Sequence, residues 1–179
     1  TLQAIFEYQT LICQLTGMDV SNASMYDGAT ATAEAVLMAA RATRRKQILI
    51  ADSLHPEYRE TIATYCKYLG MDLVAIPFKE NGQIDRTALA VHLGKQTAAV
   101  VVGYPNFFGV IEELAGLSEL AHAQGALLVT AVAEPIALGL LKSPGELGAD
   151  IVVGEGQSFG MPVSYGGPGV GFFAAKQKT

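Results

Sequence analysis

Residues 47–77, QILIADSLHPEYRETIATYCKYLGMDLVAIP, decide the fold. The run QILIAD is short, apolar and flanked by charged residues, which reads as a buried strand. PEYRETIATYCKYLG then reads as a helix, with Pro56 suited to a first helical position and Gly70 as its stop signal. MDLVAIP is a second short strand. A strand, a helix long enough to cross a sheet face and another strand make a βαβ unit, the building block of a parallel sheet.

The same alternation extends in both directions. Upstream, Leu2, Ile5, Phe6, Gln9, Ile12, Cys13 and Leu15 recur near a helical period and Gly17 ends the pattern. YDGATATAEAVLMAARATRR reads as a turn feeding a second helix. Downstream, RTALAVHLG predicts a short helix, TAAVVVG a strand, LAGLSELAHAQG a helix and ALLVTAV a strand, with ADIVVG and GVGFFAA as the last two strands. The pattern implies a three-layer α/β/α domain with a mostly parallel sheet, and no linker divides residues 1–179. Ligands of such sheets bind at the carboxyl ends of the strands. That directs attention to Asp52–His55, Tyr104–Phe108, Glu134–Pro135 and the stretch after ADIVVG.

Composition narrows the function classes. Half of the 179 residues are apolar and 16% are charged, which suits a compact, strand-rich domain and excludes a disordered chain. The apolar runs are too short to span a membrane. A net charge of −5 with scattered lysines and arginines gives no footprint for nucleic acid. Cys13 and Cys66 form no CxxC pair, so neither a metal site nor a disulfide is expected, and they read as small core residues in a reducing, cytoplasmic compartment. The chain opens within a helical pattern without a signal-peptide charge cluster and closes just after a strand. It is therefore expected to be part of a longer polypeptide.

One helix opening and three strand ends carry residues with two readings. Gly28, Ala29 and Thr30 open a helix, where free N–H groups suit a phosphate, although capping by Asp27 accounts for the same residues. His55 can stack on a planar ligand or stand as a solvated loop residue. Asn106 offers an amide, while Phe107 and Phe108 can wall a pocket or seal the core. Glu134, directly after an apolar run, must reach solvent or meet a cation, whether a protonated ring nitrogen or a neighbouring Arg or Lys.

Taken together, SMYDGATATAEA, ADSLHPEYRET, PNFFGVIEE and LKSPGELGADIVVGEGQSFGMPVSYGGPGVGFFAA resemble the pyridoxal-phosphate enzymes of fold type I. More narrowly, they resemble subunit 1 of the two-subunit glycine decarboxylase P-proteins. The resemblance covers essentially the whole chain. It implies an enzyme complex that decarboxylates glycine with pyridoxal phosphate and passes the aminomethyl group to the lipoyl arm of the H-protein. It also assigns Gly28–Thr30 to the cofactor's phosphate, His55 to its ring face and Glu134 to its ring nitrogen.

One position departs from the active pattern. Alignment on the following Pro and Gly-Gly-Pro puts Gln157 where catalytic P-protein subunits carry a lysine, and an amide nitrogen is not a nucleophile. Lys46, Lys67, Lys79 and Lys95 lie beside or within predicted helices or turns, Lys142 lies eight residues past Glu134, and Lys176 and Lys178 lie beyond the last strand, so none has the context of that lysine. Glu134 also stands where such enzymes usually keep aspartate. The expectation is a degenerate site, with the cofactor on a lysine-bearing partner subunit. Two alternatives stay open: an independently active pyridoxal-phosphate lyase or desulfurase using another lysine, and a binding module for a phosphorylated ligand.

Overall fold

The computed structural model describes residues 1–178. Among them, five helices are α1 (Leu2–Thr16), α2 (Gly28–Thr43), α3 (Pro56–Cys66), α4 (Arg86–His92) and α5 (Leu114–Ala123). Seven strands, β1 (Val20–Ser21), β2 (Gln47–Ala51), β3 (Asp72–Ile76), β4 (Thr97–Gly103), β5 (Leu127–Val132), β6 (Ile151–Glu155) and β7 (Gly171–Ala175), form one sheet in the order β1-β7-β6-β5-β4-β2-β3. The pairs β2–β3, β2–β4, β4–β5 and β5–β6 are parallel. β7 runs antiparallel to β6, and β1 antiparallel to β7. The sheet is thus mostly parallel, as the βαβ pattern requires.

Successive residues of the central strands point to opposite faces, so the core splits into two layers. Leu49, Val100, Leu128 and Val152 pack with Ile12 of α1, Leu89 of α4 and Leu117 of α5. Ile48, Val101, Val129 and Val153 pack with α2 and α3 through residues such as Ala35, Val36 and Ile62. Helices therefore cover both faces. α2 lies close on its face because its buried positions include Ala31, Ala33, Ala35 and Ala39, all fully enclosed.

Three details depart from the periodicity. β1 has only two residues and no apolar run, and it forms by pairing Val20 with Ala175 and Ser21 with Ala174. α3 ends at Cys66, four residues before Gly70, which turns the chain at φ 64°. α1 has the expected period, but only Ile12 and Thr16 are buried, and Leu2, Phe6 and Leu11 remain exposed. Its period is right and most of its apolar surface faces outward.

Candidate functional site

The parallel strands bring the N-terminus of α2, the loops after β2, β4 and β5, and the glycine-rich segment after β6 to one end of the sheet. At α2, Asp27 is extended and its Oδ1 accepts from Thr30 N at 2.8 Å, while Thr30 Oγ1 donates to Asp27 O at 3.3 Å. The capping reading of this turn is therefore realised. Gly28 N donates to Glu155 Oε2 at 3.1 Å. The other oxygen of the same carboxylate accepts from Gln157 N and Val170 N, each at 3.0 Å. Gly28 must be glycine, since a Cβ would collide with the Tyr58 hydroxyl and the β6 backbone.

Glu155 is thus an anion at a helix N-terminus, where the free N–H groups and the dipole favour one. Sequence reasoning passed over it. The signal was available, since Glu155 directly follows the apolar run ADIVVG just as Glu134 directly follows ALLVTAVA. What the sequence could not supply was its partner, 127 residues away.

The second half of the site lies between α3 and the ends of β4 and β5. His55 Nδ1 accepts from Glu57 N at 3.3 Å, which caps α3 and leaves Nε2 to carry the proton of the neutral ring. Its ring centroid lies 5.2 Å from Tyr58 and 5.1 Å from Phe107. Between these rings and Gly103, Pro105, Asn106, Ala131 and Ala133 there remains a cavity of about 20 Å³. That is room for one water molecule. The Tyr58 phenol is pushed well above its usual pKa, first by burial and then by Glu155, Asp27 and Glu57, so it stays protonated.

Asn106 faces inward. Its Nδ2 donates to Gly82 O at 2.8 Å and to Glu112 Oε1 at 2.9 Å, and its Oδ1 accepts from Phe108 N and Val110 N. Both donors and both acceptor positions are spent on the loop. Glu112, 2% exposed, also accepts from Ser53 Oγ and Ile84 N, tying the loops after β2 and β4 to residue 84. Sequence reading had not singled out Glu112.

Glu134 reaches solvent. Its Oε1 accepts from Ile136 N at 3.1 Å and from Ser158 Oγ at 2.7 Å, so it caps the 3₁₀ turn Pro135–Gly139 and holds the glycine-rich segment. It does not line the cavity beside His55. Gln157 is half-buried, and its Nε2 donates to Pro162 O at 3.3 Å within its own loop. No lysine lines the cavity, and Lys176 Nζ instead donates to Gly17 O at 2.6 Å. Among the described residues no group of three or more His, Cys, Asp or Glu is placed to hold a metal, and no helix is long and apolar enough to cross a membrane. Cys13 and Cys66 are free, and burial raises both thiol pKa values.

Three-layer topology and a strand-end site define a class, and solved structures give it a name. A crystal structure of glycine decarboxylase (P-protein) of the glycine cleavage system, in inhibitor-bound form, matches over 98% of this chain and 39% of its own. Its TM-score is 0.92 and its identity 47%. A Burkholderia pseudomallei sphingosine-1-phosphate lyase shares the fold at 20% identity, with a TM-score of 0.75 over 95% of this chain and 44% of its own. The architecture is that of the large domain of fold type I pyridoxal-phosphate enzymes. The family model of the glycine cleavage system P-protein matches residues 1–179, and the chain belongs to that family. Probable glycine dehydrogenase (decarboxylating) subunit 1 of Desulforamulus reducens is 60% identical over 99% of this chain and 39% of the relative. The protein of the same description from Desulfitobacterium hafniense is 57% identical over 99% and 40%. The chain thus spans about two fifths of the length of these relatives.

Pyridoxal phosphate does not fit the residues at this strand end. The cavity beside His55 has room for about one water, Asn106 has no group to spare, and no lysine lines it. At α2 a phosphate would meet the Glu155 carboxylate. Two unit charges ~4 Å apart repel by about 4 kcal/mol at an effective dielectric near 20, and a phosphate dianion by more.

Proposed function

We propose that this chain is the cofactor-type large domain of subunit 1 of a glycine decarboxylase, one domain of a longer polypeptide, and that it carries no cofactor of its own. In this reading a homologous lysine-bearing subunit holds pyridoxal phosphate and binds glycine, and the lipoyl H-protein receives the aminomethyl group. Gln157 carries the reading, because a carboxamide stands where the resemblance calls for the amine that anchors the cofactor. The packed His55 cavity and the Glu155 carboxylate support it.

The chain's own residues then work by holding shape. Glu155 and Glu134 fix the glycine-rich segment through Gly28 N, Val170 N and Ser158 Oγ, and Glu112 fixes the loops after β2 and β4. A fixed strand end gives the partner a rigid surface that shapes its active site and helps seat the H-protein. We place the complex in the cytoplasm, on the two free cysteines. The test is co-expression of the full-length subunit with its lysine-bearing partner. Co-purification is expected, and, with lipoylated H-protein supplied as acceptor, glycine-dependent release of carbon dioxide only when both are present. Release by this subunit alone would overturn the reading.

A further inference from the structure

The mismatch at α2 is more specific than a missing lysine. The helix terminus keeps glycine at 28, a hydroxyl at 30 and the close approach of the β6 backbone. The anion that such a terminus favours is nevertheless present, as a side chain. Three backbone N–H groups, Gly28 at the helix terminus and Gln157 and Val170 at the two ends of the glycine-rich segment, converge on the two oxygens of Glu155. A bound phosphate draws its donors in the same way, from a helix terminus and the loops beside it.

We propose that Glu155 excludes the cofactor's phosphate from this chain by supplying the anion itself, and that this built-in anion pins the glycine-rich segment to α2. The geometry alone carries the built-in anion. Identifying the excluded group with the cofactor's phosphate rests on the function proposed above. Loss of the lysine prevents covalent attachment, whereas the Glu155 carboxylate blocks non-covalent retention as well. Tyr58 acts alongside it, because its hydroxyl sits over Gly28, where a ligand oxygen would otherwise reach the backbone.

The experiment uses the full-length subunit, as wild type, Glu155→Ala and Glu155→Gln, titrated with inorganic phosphate against chloride at matched ionic strength. Calorimetry reads binding, and amide hydrogen exchange reads residues 156–170 and the start of α2. Glu155→Ala should exchange faster in that segment, recover protection with phosphate and not with chloride, and bind phosphate at least about tenfold more tightly than wild type. Glu155→Gln keeps the size and loses the charge. If the alanine variant does not fold, phosphate-specific protection of Gly28 N in the glutamine variant is the expected result. Wild type binding phosphate as well as the variants do, or variants showing no phosphate-specific protection, would overturn the proposal. Pyridoxal phosphate is titrated separately. Because these substitutions leave the small cavity beside His55 unchanged, phosphate rescue without pyridoxal phosphate binding is the expected result and keeps the proposal, while failure to reconstitute decarboxylation with the partner removes only the function reading.

Discussion

Glu112 and Glu155 are two carboxylates at the same end of the sheet, each collecting donors from several segments, yet they close their halves of the site differently. Glu112 is enclosed and binds Ser53, Ile84 and Asn106, all parts of a packed loop cluster. Glu155 is half-buried and binds the terminus of a helix and both ends of a glycine-rich segment. One half of the site is closed by packing and the other by charge. Removing the first should damage the fold, and removing the second should open a place for an anion.

The largest effect should follow Glu112→Ala. It leaves a hydroxyl, a backbone N–H and one N–H of the Asn106 amide without their acceptor in the interior, and a loss of about 3–5 kcal/mol is expected by chemical denaturation. A loss below about 1 kcal/mol would mean that the two halves are alike. Gly154→Ala comes next, because the new methyl would strike Val132 O and the Phe172 ring between paired strands. About 3 kcal/mol of destabilisation is expected from overpacking, read as a shift in the denaturation midpoint.

Asp27→Ala should cost about 1 kcal/mol, the ordinary worth of an N-cap, and should not by itself bring phosphate binding while Glu155 stays in place. Phosphate binding by that variant would show that Asp27, and not Glu155, guards the helix. The smallest effect is alkaline. Because the Tyr58 phenol is raised above its ordinary 10.0 in the folded state, its contribution is complete below pH 10 and is lost as pH rises toward the raised value. Tyr58→Phe should flatten the fall of stability above pH 10, and an unchanged alkaline profile would remove Tyr58 from the account.

Much of the fold was legible because it rests on local signals. QILIAD, TAAVVVG and ALLVTAV are short apolar runs, and each lies where the structure has a central strand. β1 was not legible, since two residues carry no period and exist as a strand only through β7. The direction of β7 was equally hidden, because the segment joining it to β6 signals a turn without stating its sense. At the site, sequence located the right strand ends and left the orientation of their side chains open. Asn106 turned inward to Gly82, and Glu134 turned outward to Ser158, choices set by contacts 24 residues distant in each case. Glu155 was missed for the same reason.

The most direct test of the central claim, that this chain holds no cofactor of its own, is borohydride reduction of the assembled two-subunit enzyme with pyridoxal phosphate, followed by mass spectrometry of each separated chain. The account predicts a pyridoxyl-lysine on the partner subunit and none on this one. A pyridoxyl group on any lysine of this chain would contradict it.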